Sequence, residues 1–363
     1  MKERVKYCDT LKALSIILVI LIHVFSIYRD LYINTNRLYY TILTLGDSFT
    51  RIAVPSFLMI TGIFMLSKKS EKNYKDYLFK RMPKLIVPFI IFSVVYYLYE
   101  KIKAGETISL LQFFQVFTTY GGAKYHLWFM YVIIIIYLFI PFISILVKSL
   151  KKKDLKTLII LIFIMGNVIN FIYLFSNKYN INLFRGIALS DISICINYLF
   201  VGYYLYNNNI KRSTRKIIYV LGIISIILMP IFDGLYIDNM RNDVTFTVSS
   251  IFPIFPSISS FLFLKYNYEK LKIPNIIEKT AANIASVSLY IYMIHVIILE
   301  YVNKYALEII PATRFLNSII LIVLVLIITS ILSIIAAFIF NYIYKWISKR
   351  IINLKSKFIR RSN

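Results

Sequence analysis

Asp9-Thr-Leu-Lys12-Ala-Leu-Ser-Ile-Ile-Leu-Val-Ile-Leu-Ile-His23 opens the first long apolar stretch of this chain, and its reading decides the fold. A helix crosses the hydrocarbon of a bilayer in about 20 predominantly apolar residues, and residues 11–28 fit that length. Positive charge precedes the run and no small-residue cleavage site follows His23, so it reads as an uncleaved first span and not as a signal peptide. A group that titrates near neutral pH is costly in lipid, so an imidazole inside such a run points to function. The 363 residues hold three histidines, His23, His126 and His295, each in or at the edge of a long apolar segment.

Composition supports the same class. Hydrophobic residues make up 59% of the chain and charged residues 16%, and the mean hydropathy is +0.71. A soluble core cannot hide that much apolar surface, so lipid must cover much of it. The net charge of +25 does not indicate nucleic acid, because the basic residues fall in short clusters between apolar runs. Ten spans are expected: 11–28, 45–66, 85–99, 126–147, 157–175, 189–206, 217–233, 245–264, 281–302 and 317–344. With both termini cytoplasmic, most of the 42 Lys and Arg residues fall in inside segments, which sets the expected orientation. The expected fold is all-α: an integral membrane helical bundle of about ten transmembrane helices. It is expected to form one polytopic domain over 1–363, with a basic tail, about 345–363, suited to the anionic cytoplasmic leaflet. Cys8 and Cys195 are expected not to pair, since one precedes span 1 and the other lies within span 6.

Lys12 and His23 are eleven residues apart, which returns to nearly the same helix face about 16 Å further along the axis. One face therefore carries a cation near the cytoplasm and an imidazole deeper in, although snorkelling and ordinary packing explain the pair equally well. Span 2 contains Arg51-Ile-Ala-Val-Pro55, in which Pro55 has no amide hydrogen for the Arg51 carbonyl. A kink is expected there, of the kind tolerated where backbone lines a cavity. Span 4 begins Tyr125-His126-Leu-Trp128-Phe129, and span 9 holds Tyr290-Ile-Tyr292-Met-Ile-His295, in which Tyr292 is the nearer helical neighbour of His295. In the expected orientation His23, Arg51, His126 and His295 all fall in the outer half of the membrane. Such a set suits removal of a hydroxyl proton and stabilisation of a developing oxyanion. On the cytoplasmic side Lys68, Lys69, Lys72, Lys75, Lys80, Arg81 and Lys84 form a cluster that either binds phosphates of a nucleotide-containing donor or only orients the chain. No zinc-protease, nucleophile-elbow or phosphate-loop signature is present, and no metal is expected.

Taken in order, these motifs resemble the membrane-bound acyltransferase 3 family from residue 7 to about 345. Its first-helix Asp-x-x-Arg and His are matched by Asp9, Lys12 and His23, and its second-helix pattern by Arg51, Val54-Pro55, Phe57 and Thr61-Gly62. The basic stretch before a proline is matched by Lys80, Arg81, Lys84 and Pro88, and the His-Leu-Trp-Phe element by His126 to Phe129. The Tyr-Leu-x-His element is matched best by Tyr292 and His295. The resemblance implies acyl-CoA, most simply acetyl-CoA, as donor on the cytoplasmic side. It also implies a hydroxyl acceptor outside, on a cell-surface glycan or its lipid-linked precursor, with membrane lipids and glycan-synthesis proteins as further partners. His23 is then the base or acyl carrier, Arg51 stabilises negative charge, and His126, Tyr292 and His295 support them. Lys12, Arg81 and Lys84 hold the donor's phosphates. Lys12 stands where the family has arginine and lacks its bidentate fork. Two other classes use the same features: a flippase or exporter of a lipid-linked sugar, and a non-catalytic partner of a glycan synthase.

Overall fold

The computed structural model describes residues 5–67, 73–181, 183–187, 189–236 and 245–361, so Lys68, Lys69 and Lys72 lie outside the described residues. Among the described residues every regular element is a helix and there is no strand. The helices are α1 (Lys6–Asp30), α2 (Arg37–Thr50), α3 (Ala53–Leu66), α4 (Tyr74–Arg81), α5 (Pro83–Ala104), α6 (Leu110–Thr118) and α7 (Trp128–Ser149). They continue with α8 (Lys152–Phe163), α9 (Ile169–Lys178), α10 (Asp191–Asn207), α11 (Arg212–Tyr236), α12 (Ile254–Asn267), α13 (Asn275–Ile309) and α14 (Phe315–Arg361).

Among the described residues eight spans are long and apolar enough to cross a membrane. They are α1, α2 with α3, α4 with α5, α7 with the turn before it, α8 with α9, α11, α13 and α14. The sixth and eighth expected spans correspond to α10, of 17 residues, and α12, of 14, which fall short in length. The expected 245–264 helix begins only at Ile254, because Asn167 bonds from its side-chain amide to the carbonyls of Ser249 (3.1 Å) and Ser250 (3.0 Å). The Tyr198 hydroxyl donates to the Val248 carbonyl at 3.3 Å, so this stretch at bundle depth has partners without being helical. Asn167 sits in a π-turn, Ile164–Val168, that joins α8 to α9. The second expected span is broken at Arg51 and Ile52, where Pro55 withholds its hydrogen bond, and α2 runs back beyond the expected start to Arg37. The basic loop expected over 67–84 contains α4, capped by the Asn73 side chain on the Lys75 amide at 3.0 Å.

The core lies between α1, α3, α10 and α13, with α14 against α13. Lipid tails are as apolar as leucine, so such helices are held by close packing and internal hydrogen bonds more than by hydrophobic burial. Gly62 of α3 and Gly202 of α10 show how close the packing is. A Cβ at Gly62 would lie 2.1 Å from the Leu199 carbonyl oxygen, and one at Gly202 would lie 2.1 Å from that of Met59. Each glycine admits the backbone of the other helix. Alanine at either position is expected to cost about 1–3 kcal/mol or more. A lowered melting temperature of Gly62→Ala and Gly202→Ala proteins in detergent, beside an unchanged Leu14→Ala control on exposed α1 surface, checks this.

Candidate active site

The three histidines, far apart in sequence, meet where α1, α13 and the start of α7 converge. The His23 and His295 rings are stacked with centroids 5.2 Å apart, and His126 lies 5.1 Å from His295 and 6.3 Å from His23. His126 and His295 are buried, and His23 is half-buried. His295 Nδ1 lies 2.7 Å from the Tyr292 carbonyl and 3.3 Å from that of Ile291. A carbonyl only accepts, so Nδ1 carries the hydrogen, and in the neutral ring Nε2 keeps its lone pair. That Nε2 and both ring nitrogens of His126 have no hydrogen-bond partner among the described residues.

Several elements fix this arrangement. Tyr125, His126 and Leu127 form a single 3-10 turn, and the Tyr292 hydroxyl donates to the His126 carbonyl. Tyr96 of α5 packs edge-on against the His126 ring at 5.2 Å. Its hydroxyl donates to the Met293 carbonyl (2.9 Å) and accepts from the Ile297 amide (3.3 Å), inserting into the backbone ladder of α13 beside His295. The Tyr125 hydroxyl lies 3.4 Å from His23 Nδ1. Lys124, just before the turn, pairs with Glu100 of α5 and, at 2.5 Å, with Glu300 of α13. Burial pulls the Lys124 pKa down, but the bonds and charges of the two carboxylates outweigh it and hold the pKa above the ordinary lysine value.

A cavity of about 410 Å³ opens beside the histidines, a size suited to small-molecule substrates. His23, Arg51, His126 and Tyr292 line it, so four of the five residues expected to take part in catalysis share one chamber. His295 stands behind them, in ring contact with His23 and His126. Tyr290 is elsewhere, against Phe340 and Tyr344 of α14. Lys12, Arg81 and Lys84 do not line the cavity: Lys12 is about 16 Å from His23 along α1, and the other two lie at the end of α4 and the start of α5. Sequence reasoning missed Arg29 and Asp47. Arg29 lines the cavity, and the fully buried Asp47 accepts from Arg29 Nη1 (3.1 Å), Arg51 Nε (3.1 Å) and Arg51 Nη2 (2.5 Å). The available signal was an aspartate inside an apolar span with arginine four residues on, one helical turn away. Among the described residues no group of three His, Cys, Asp or Glu side chains is arranged to hold a metal.

The fold and the site define a multi-pass helical membrane protein with an interior chamber lined by histidine and arginine side chains. Residues 5–339 match the acyltransferase domain of the acyltransferase 3 family, and the chain belongs to that family. A curated protein of Enterococcus faecalis, an amino-acid racemase, is 25% identical to it over 337 residues, covering 84% of this chain and 43% of that protein. The chain thus spans less than half the length of this relative. No solved structure matches the chain.

Lys124→Ala removes the cation shared by Glu100 and Glu300, leaving Glu300 to Tyr99 and Lys103, and unties the start of the turn that carries His126. It is expected to lower stability by about 1–2 kcal/mol, as breaking a partly buried ion network does. Thermal unfolding of the purified protein, followed by the fluorescence of Trp128 and Trp346, measures this.

Proposed function

We propose that this protein transfers an acyl group, most simply acetyl, from acyl-CoA to a hydroxyl of an extracytoplasmic glycan or its lipid-linked precursor. Family membership supports acyl transfer. The observation that carries the reading further is the meeting of His23, His126 and Arg51 around one cavity, with His295 directly behind them. His23 accepts the hydroxyl proton as the acceptor oxygen attacks the thioester carbonyl. A C–O bond forms, the C–S bond breaks, and the proton passes to the departing thiolate to give free CoA. Arg51 stabilises the oxyanion of the tetrahedral intermediate, which donors held in a water-poor site do more strongly than the same donors in water.

His295 orients His23 through ring contact, and Tyr292 holds the turn of His126. The donor's phosphates fall to Lys12, Arg81 and Lys84 on the cytoplasmic side, with both termini on that side and the pantetheine arm reaching along α1 toward His23. Three imidazoles in mutual contact give the proton a choice of neighbouring acceptors, so the base need not hold it through the whole turnover.

His23→Ala is expected to lower ester formation about 10²–10⁴-fold, the range for loss of a general base. The measurement is acetate released by mild alkali from envelope glycans of cells holding equal amounts of wild-type or variant protein in the membrane. A variant that works at the wild-type rate overturns the role of His23. A wild-type protein whose presence adds no ester, and whose vesicles consume no acetyl-CoA, overturns the reading as a whole. Lys12→Gln is expected to raise the KM for acetyl-CoA about tenfold, the loss of one charge-assisted phosphate contact, with kcat changed far less.

A further inference from the structure

Arg51 has a part in the reaction above, while Asp47 and Arg29 have none. We propose that Asp47 is a positioning residue, a buried carboxylate that clamps Arg51 and Arg29 in the orientation in which both guanidiniums line the cavity. The effect on turnover rests on the acyl-transfer reading, but the clamp itself does not.

Three guanidinium N–H groups converge on this one side chain. Oδ1 accepts from Arg51 Nε at 3.1 Å, and Oδ2 accepts from Arg51 Nη2 at 2.5 Å and Arg29 Nη1 at 3.1 Å; the Thr50 hydroxyl lies 2.9 Å from Oδ1, but its one hydrogen has a nearer acceptor in the Asp47 backbone carbonyl at 2.6 Å. A fully buried carboxylate that holds charged donors on both oxygens and does not itself line the cavity orients its neighbours and does not act as a base. The pairing with Arg51 is bidentate through Nε and Nη2, a geometry that fixes the plane of a guanidinium and not only its distance.

The place of the clamp matters as much as its geometry. Asp47 lies in the last turn of α2 and Arg51 at the break before α3, where the hydrogen-bond ladder is interrupted while Arg51 and Ile52 keep right-handed helical angles. The carboxylate thus sits one turn back on the same face and meets Arg51 as an i,i+4 partner. Beyond the clamp, Arg51 rests over the Phe246 ring at 4.4 Å and reaches the Phe246 carbonyl through Nη1 at 3.4 Å, a long bond. Arg29 rests over the same ring at 5.2 Å. Thus one carboxylate and one aromatic face hold two cations on one wall of the chamber. Asp30 pairs with Arg29 Nε at 3.6 Å, and Asp233, held by the Tyr40 hydroxyl at 2.5 Å, also acts on Arg29 electrostatically, so the two cations have three carboxylates around them.

Asp47→Asn keeps the size but offers one acceptor oxygen and turns an NH₂ toward the guanidinium, so the bidentate bond is lost. Two readouts test the clamp in the full-length protein in detergent. The first is the rate at which phenylglyoxal modifies Arg51, followed by mass spectrometry. It is expected to rise about fivefold or more in Asp47→Asn as local opening becomes easier. The second is ester formation in a double-mutant cycle with Arg51→Gln. Asp47→Asn is expected to lower the rate about tenfold or more in the wild-type background and to add little once Arg51 is gone. Unchanged Arg51 reactivity, or losses that multiply in the double variant, overturn the proposal. If Asp47→Asn does not accumulate, Asp47→Glu, which keeps the charge and shifts the carboxyl by one methylene, is judged by the same criteria. If the wild-type protein forms no ester, the acyl-transfer reading fails, and the clamp stands or falls on Arg51 reactivity alone.

Discussion

A polar group inside a lipid-covered bundle has no bulk water to fall back on, so its partner must come from the protein, and that constraint places most of what is distinctive here. Among the imidazoles it shows in His295, whose Nδ1 bonds to the carbonyls of its own helix. It also explains the non-helical stretch before α12, whose carbonyls are met by the Asn167 amide and the Tyr198 hydroxyl. Lys265 obeys the same rule at the other end of α12, where its ammonium bonds to the carbonyls of Leu205 (2.6 Å), Tyr206 (3.1 Å) and Asn208 (3.0 Å) as α10 ends. The chamber is where several of these pairings come together.

Much of this was legible in the sequence, for reasons that can be named. Apolar runs give spans because hydrocarbon thickness is fixed, so α1, α7, α13 and α14 lie where hydropathy puts them. The convergence of His23, His126 and Arg51 followed from alternating the direction of successive spans, which needs no side-chain detail. The break at Arg51 followed from Pro55, a covalent property of one residue. What hydropathy could not reveal is backbone satisfied by distant side chains. Residues 245–253 read as membrane helix because they are apolar enough, and it is Asn167, about 80 positions earlier, and Tyr198, about 50 earlier, that make their irregular path tolerable. Arg29 and Asp47 were overlooked for a related reason: a charge near a span's end reads as an interfacial anchor until its partner across the fold is known. The cytoplasmic cations Lys12, Arg81 and Lys84 were legible as charges, but their roles depend on a donor that hydropathy does not describe.

Membership of the acyltransferase 3 family accounts for the order of the motifs, while the local chemistry accounts for their arrangement. His295 is directed by the carbonyls of its own helix, His126 is carried by a turn tied at both ends, and His23 has the half-exposed face toward the cavity. The ring with the most access is therefore the one on the first span, and the other two are held by contacts that leave little freedom. The name of the Enterococcus faecalis relative belongs to a protein more than twice the length of the part matched here, and much of that protein has no counterpart in this chain.

The glycine crossing of α3 and α10 has a mechanical meaning. Arg51 just before α3 and Asp191 at the start of α10 both line the chamber, and Gly62 and Gly202 lie about 16 Å further along their respective helices. Two stiff rods touching backbone to backbone behave like the blades of shears, with the glycines as rivet. By that leverage, each degree of rotation at the crossing displaces the arginine and the aspartate relative to one another by about 0.3 Å. Two walls of the chamber are thus joined at a point that does not itself line it.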